Sequence, residues 1–254
     1  MVPSSRYRQS RDRISMKANS VLPTDADKHQ FVQSMFDRIA PRYALMNRII
    51  TLGLDRRWRK LAVSSLELKN ESVVIDIACG PGELCVELGL RGLRAVGTDL
   101  SWGMLSHSPR GNGNTPNGAN YPLLQSDAAY LPIATSCAEG ITCGFALRNF
   151  AQLDLVLKEA GRVLKPNGRI SILEVSSPKA AIVRILHKVY FNNVVPFLGG
   201  LLSDGTAYKY LPQSASYLPD FSELSQMMVD AGFLQITTRP LAFGATQLIT
   251  AIRR

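Results

Sequence analysis

Cysteine and histidine are scarce in this 254-residue chain, with four of one and three of the other. Cys79, Cys85, Cys137 and Cys143 have no C-x-x-C spacing and no adjoining histidine pair. That pattern argues against a zinc site or a disulfide framework, and for small apolar core residues. His29, His107 and His187 are scattered and receive no role. Long apolar runs are missing too. The longest charge-free apolar stretch, VYFNNVVPFLGGLLS (189–203), is broken by two Asn, a Pro and a Gly pair, and is too short to span a bilayer. The first twenty residues lack the apolar core of a secretory signal.

Acidic residues are also short in number, leaving a net charge of +9. Residues 1–20 hold five basic residues against one acid. Residues 1–24 therefore read as a disordered basic tail or an Arg/Ser-rich organelle import segment. The remaining charge is diffuse, which suits a solvated face or mild attraction to an anionic membrane better than a nucleic-acid groove.

What is present is a chain 46% hydrophobic and 19% charged, long enough to bury a substantial core as one domain over 25–254. Helical periodicity predicts helices over 28–38, 41–50 and 55–66, the last with Trp58 and Leu61 inward. SVVIDIA (72–78) reads as a buried strand running into the turn CGPG, with a helix over 83–90. A second strand over 94–98 closes on Asp99, and Ser101 caps a short helix to 106. SPRGNGNTPNGAN (108–120) can only be a loop. Strands follow at 121–125 and 140–145, then a helix over 153–164 whose C-cap is LKPNG. The fifth strand spans 169–175, a charge-poor helical insertion 179–211, a helix 220–231, and closing strands 234–239 and 246–252. Alternating strands and helices predict an α/β, doubly wound, mostly parallel sheet.

Such sheets bind ligands beyond the carboxyl ends of their strands. The first turn, DIACGPGEL, offers Gly80 and Gly82 for close backbone approach. Cys85 stands at the third glycine of a dinucleotide fingerprint, and Asp76 would repel a pyrophosphate, so NAD is disfavoured. Asp99 can accept from the two hydroxyls of a ribose, and Asp127–Ala128 would lie along a purine. An acid at three successive strand ends describes a nucleoside with a cationic neighbour and no phosphate. S-adenosylmethionine meets that description.

With these residues in view, the chain resembles the class I S-adenosylmethionine-dependent methyltransferases, specifically the ubiquinone/menaquinone biosynthesis C-methyltransferase family. The resemblance rests on FDRIAPRYALMNRIITLGLDRRWRK (36–60), VIDIACGPGEL (74–84), DLSWGML (99–105), SDAAYLP (126–132), GFALRNF (144–150), EAGRVLKPNGRISILEVSSP (159–178) and DAGF (230–233). It implies a seven-stranded Rossmann-like sheet with its last strand antiparallel, amino-terminal helices, and the 179–211 insertion covering the substrate. It also implies a cofactor site at Asp76, Gly80, Pro81, Gly82, Asp99, Met104, Asp127, Ala128 and Gly144, with no metal. Pro81 and Gly144 replace the family's usual Thr and Ser, so two hydroxyl contacts are absent.

The implied reaction moves a methyl group onto a ring carbon of a reduced polyprenyl quinol. A phenol titrates near pH 10, so the site must stabilise a phenolate or supply a base. The resemblance assigns Arg148 to hold the developing oxyanion, Asn149 to orient a water, and Tyr43 to bond that water or the quinol. FNNVVPFLGGLL (191–202) could line an isoprenoid channel or rest on a membrane. A homodimer and peripheral membrane contact stay open at this level, in a cytoplasmic or imported protein; no nucleic-acid partner is expected. ALRN replaces the N/D-P-P-F/Y motif of amino-group methylases, and no Pro-Cys pair exists for cytosine chemistry. Methylation of another small molecule, or a cofactor-binding homologue weakened in catalysis, are the remaining alternatives.

Overall fold

The computed structural model describes residues 27–109, 120–176, 178, 210 and 213–254. The tail, most of the 108–120 loop and nearly all of the 179–211 insertion lie outside the described residues. Seven strands form one sheet in the order β3-β2-β1-β4-β5-β7-β6. They are β1 Val73–Ile77, β2 Arg94–Asp99, β3 Leu123–Gln125, β4 Ala138–Gly144, β5 Leu164–Val175, β6 Phe233–Leu241 and β7 Thr246–Arg253. β1 to β5 pair in parallel, and β7 runs antiparallel to both β5 and β6, as the resemblance implies.

Helices α1 (Lys28–Ile39), α2 (Tyr43–Ile50) and α3 (Asp55–Ser65) precede the sheet, with a 3-10 turn at Ala40–Arg42. α4 (Glu83–Leu90), α5 (Trp102–Ser106), α6 (Leu153–Val163) and α7 (Phe221–Asp230) follow within it. The period-2 alternation of β1 explains the two layers. Ile75 and Ile77 pack with Val156, Leu157 and Met228 of α6 and α7, while Val74 packs with Trp58, Val63 and Leu88 of α3 and α4. Each fully buried aliphatic of this kind contributes about 1.5–3 kcal/mol. Among the described residues, no helix is long and apolar enough to cross a membrane.

α1 and α2 lie over the carboxyl ends of the strands, held by specific bonds. Asp37 accepts from Ser101 Oγ at 2.5 Å and from the Gly103 amide at 2.8 Å. Lys28 Nζ donates to the Phe150 carbonyl at 2.9 Å and sits 3.9 Å from the Tyr217 ring centroid. Met35, Ile39, Met46 and Met104 close the layer beneath. The expected Ser101 cap is present, accepting from the Met104 amide at 3.0 Å.

LKPNG ends α6 as expected, but its later residues belong to the sheet. α6 ends at Val163 and Leu164 is already extended, paired with Ala138. The pairing resumes at Gly140 with Arg169, so residues 165–168 bulge from β5. Pro166 disfavours a helical residue before it, and Asn167 takes φ +63°, so the turn sits inside the strand. The third strand also starts later than expected, at Leu123; Tyr121 is instead buried, its hydroxyl donating to the Gly82 carbonyl at 3.3 Å.

Candidate active site

The strand order reverses between β1 and β4, which places a crevice beyond their carboxyl ends. Each strand is followed by a non-glycine residue in the left-handed region, Ala78 at φ +53° and Phe145 at φ +61°. Such strain is held only where the surrounding structure over-determines it. Here Phe145 donates its amide to the Leu173 carbonyl at 2.7 Å.

Three cavities meet at this point. One, about 860 Å³, runs between α1 and the ends of β1 and β2, with Asp99, Ser126, Asp127 and Asn149 in a largely apolar wall. A smaller chamber of about 370 Å³ lies against β1 and the start of α4. An apolar cleft of about 1090 Å³ opens between α2, α3 and the β6–β7 turn. Tyr43 and Phe145 line all three.

Gly80, Asp99, Met104, Asp127, Ala128 and Gly144 of the expected cofactor set line the 860 Å³ cavity. Asp99 uses one carboxylate oxygen on the Gly80 amide at 2.7 Å and the other on the Ser101 amide at 2.8 Å. Burial pushes its pKa up to about 6. Asp127 accepts from the Ala129 amide at 2.9 Å and pairs with His29 Nε2 at 3.0 Å. His29, given no role by sequence reasoning, therefore stands in the cavity wall. No local pattern flags it, because only the docking of α1 brings it there.

Asp76 lines the 370 Å³ chamber with Gly80, Glu83 and Arg59. It is fully buried, accepting from Thr142 Oγ1 at 2.7 Å and from the Cys85 thiol at 3.6 Å. Desolvation raises its pKa to about 7. Cys85 thus serves the buried carboxylate, and Gly97 of β2 leaves room for its sulfur.

Gly82 and Pro81 are buried but stand in neither cavity wall. Gly82 begins α4 at φ +88°, and a Cβ there would lie 2.7 Å from Tyr121 Oη, so packing requires this glycine. At Gly144 a Cβ would meet Leu84 Cδ1 at 3.1 Å, a space that the family's usual serine would need.

Sequence reasoning missed Arg59. It is buried on α3, pairs with Asp55 one turn earlier, and reaches Glu83 on α4 at 2.5 Å. The i, i+4 spacing of Asp55 and Arg59 beside Trp58 was the available clue. Burial pushes the Glu83 carboxyl up, opposed by Arg59; the Arg59 charge and hydrogen bonds hold Asp55 down against its own desolvation.

Arg148 and Asn149 line different cavities, and Tyr43 lines both. Asn149 lines the 860 Å³ cavity, where Tyr210 donates to its Oδ1 at 3.3 Å. Arg148 lines the apolar cleft. Its guanidinium pairs with Glu174, which is fully buried at the end of β5, and donates to Ser214 Oγ at 3.2 Å and the Phe145 carbonyl at 2.8 Å. Glu174 was also missed, although a lone acid in the apolar run ISILEV marks it. Tyr43 lies between the Arg59 and Arg148 clusters. Burial raises its hydroxyl, opposed by neighbouring Asn47 and both arginines.

The donor set suits S-adenosylmethionine. Asp76, Glu83 and Arg59 give the small chamber two carboxylates and one guanidinium, the complement of an ammonium, a carboxylate and a sulfonium. Among the described residues, the buried side-chain polar atom left without a partner is Ser126 Oγ, in the wall of the larger cavity. It is ready for a polar ligand edge.

Residues 24–253 match the model of the ubiE/COQ5 methyltransferase family. The ubiquinone/menaquinone biosynthesis C-methyltransferase UbiE of Syntrophotalea carbinolica is 38% identical over 227 residues, 88% of this chain and 94% of that protein. The demethylmenaquinone methyltransferase of Roseiflexus castenholzii is 37% identical over 92% of this chain and 98% of its own length. In fold, the chain is similar to the magnesium protoporphyrin IX methyltransferase of Synechocystis, solved with bound SAM, at a TM-score of 0.60 and 14% identity over 93% of this chain and all of that one. A match of this extent settles the family: the chain belongs to the ubiE/COQ5 methyltransferases.

Proposed function

We propose that this chain catalyses S-adenosylmethionine-dependent C-methylation of a demethylated polyprenyl quinol, taking demethylmenaquinol to menaquinol in menaquinone/ubiquinone biosynthesis. Relatives named for this reaction support it. The observation that carries it is the junction at Tyr43 and Phe145, which joins the cavity lined by Asp99, Ser126 and Asp127 to an apolar cleft faced by Arg148. A ring head at that junction could meet the donor on one side while its isoprenoid tail occupies the cleft.

When bound, S-adenosylmethionine supplies a sulfonium-borne methyl group, the electron pair of the broken bond staying on sulfur. Asp99 and Ser126 hold the nucleoside end in this reading; Asp76, Glu83 and Arg59 hold the amino-acid end. In-line placement accounts for much of the acceleration. Arg148, fixed by Glu174, faces the ring oxygen as its charge develops and stabilises it by a charge-assisted hydrogen bond. Asn149 and Tyr43 orient a water that carries away the hydroxyl proton. The new carbon–carbon bond then forms at the ring carbon, which loses its own hydrogen as a proton to restore aromaticity.

Mass spectrometry of the lipid quinones in a bacterial host deficient in this methylation tests the reading. Expression of the chain should convert the accumulated demethyl species to the methylated quinone. Demethyl species that persist despite soluble, folded protein refute it.

A further inference from the structure

The most exposed large apolar side chains among the described residues are Phe243, 89% exposed, and Leu52, 80% exposed. They stand on turns far apart in sequence, residues 51–54 between α2 and α3, and Ala242–Gly244 between β6 and β7. Both turns form the mouth of the same apolar cleft, whose wall includes Leu52, Leu54, Ala242 and Ala245.

Three local costs coincide on this rim. Apolar area that could be buried is left in water. Leu52, Ala242 and Phe243 hold φ of +53°, +46° and +56°, a region unfavourable to residues with a Cβ. Arg56 and Arg57 occupy the first turn of α3, where the helix dipole disfavours cations. Both are exposed and, among the described residues, neither pairs with a carboxylate; Arg48, exposed in the last turn of α2 where the dipole favours a cation, is attracted to Glu83 without forming an ion pair. The adjacent acid, Asp55, is buried and already committed to Arg59. Costs gathered at one place without a compensating contact mark a surface shaped for something else.

We propose that this rim is a membrane-interface lip, with Leu52 and Phe243 entering the acyl boundary of an anionic bilayer and Arg48, Arg56 and Arg57 among its headgroup phosphates. The pattern of apolar tips ringed by arginines is that of an interfacial anchor rather than a spanning one. It would hold the mouth of the cleft against the lipid, so that a polyprenyl chain passes from bilayer to cleft without crossing water. This rests on the quinol reading for its purpose, but the lip itself is read from exposure, backbone and charge.

Flotation of the full chain with phosphatidylcholine vesicles, with and without phosphatidylglycerol, tests it. The wild type should float with the anionic vesicles and release as salt rises. Phe243→Asn should bind them about tenfold more weakly, yet melt at the same or a higher temperature, because Asn tolerates the left-handed region. It should also methylate a tail-less, water-soluble quinol at the wild-type rate. Arg56→Glu with Arg57→Glu should abolish the preference for anionic vesicles. Failure of the wild type to float, or equal flotation by Phe243→Asn, overturns the lip. So does a dimer that Phe243→Asn converts to monomer with flotation unchanged, which would assign the face to self-association. Vesicle binding without methylation of the soluble quinol removes the quinol reading and leaves the lip; methylation without vesicle binding does the reverse.

Discussion

Arg148, at the turn after β4, and Glu174, near the end of β5, form an ion pair with both side chains buried, Glu174 completely. Glu174 also accepts from the Val175 amide at 2.8 Å, so the carboxylate is anchored to its own strand. The pair therefore fixes the guanidinium at the wall of the apolar cleft and neutralises it there.

Breaking the pair should separate its structural weight from its chemical one. Glu174→Gln leaves a buried cation without its partner and should cost about 3–5 kcal/mol in urea unfolding. The double change Arg148→Met, Glu174→Met should recover most of that stability while leaving no turnover. Arg148→Lys keeps a charge but not the fork of donors, and should lower turnover about 100-fold or more with S-adenosylmethionine affinity nearly unchanged by calorimetry. Turnover retained in Arg148→Lys would return the residue to a purely structural part.

Acid titration should run against the usual trend for buried carboxylates. Asp76 rises from 3.8 to about 7 and Asp99 to about 6, so between these values the folded chain holds protons that the unfolded chain releases. The unfolding free energy of the ligand-free protein should then fall as pH climbs through roughly 4 to 7. A cationic ligand favours ionised Asp76, so S-adenosylmethionine should raise the melting temperature more at pH 8 than at pH 6. Asp76→Asn should flatten the ligand-free slope and remove most of the ligand effect. Differential scanning fluorimetry across pH reads both.

Two glycines of one turn should fail for different reasons. Gly82→Ala places a Cβ against Tyr121 at φ +88° and should cost about 1–3 kcal/mol, with cofactor affinity of the folded fraction little changed. Gly80→Ala carries backbone strain at φ +57° but has only Tyr43 Cε1 within reach, at 3.7 Å, and because Gly80 lines both cavities it should weaken cofactor binding more than Gly82→Ala does.

His29 and Asp127 pair across a half-exposed edge, with side chains 47% and 36% accessible. A pair so open to water contributes about 1 kcal/mol at most. His29→Ala should therefore leave unfolding nearly unchanged while raising KM for S-adenosylmethionine several-fold at constant kcat. A drop in kcat alone would show that α1 acts on the chemistry rather than on cofactor retention.

The layout was legible wherever a short-range pattern decided it. β-branched SVVIDIA, the Ser101 cap and the glycine turn each specify their own geometry locally, and the acids at Asp76, Asp99 and Asp127 follow from strand ends. Arg59 and Glu174 left only local hints, an i, i+4 acid and a lone acid in an apolar run, and their roles come from Glu83 and Arg148, distant in sequence; His29 left none, because only the docking of α1 places it. LKPNG marked the end of α6 correctly; what it did not show is that Leu164 already pairs with β4, so that the Pro and Gly turn bulges from β5. Gly82, expected at the cofactor, has a further reason for being glycine that the sequence did not show, the close approach of Tyr121.

Where the methyl group lands decides the chemistry. The purified chain should be given S-adenosylmethionine and a demethylated naphthoquinol, reduced in one reaction and oxidised in another, with the product resolved by NMR. Carbon methylation of the ring in the reduced substrate, lost in Arg148→Lys and absent from the oxidised one, is the predicted result. Methyl on a ring oxygen, or equal transfer to the oxidised quinone, would contradict the assignment of Arg148 and Asn149 to a phenolate and its proton.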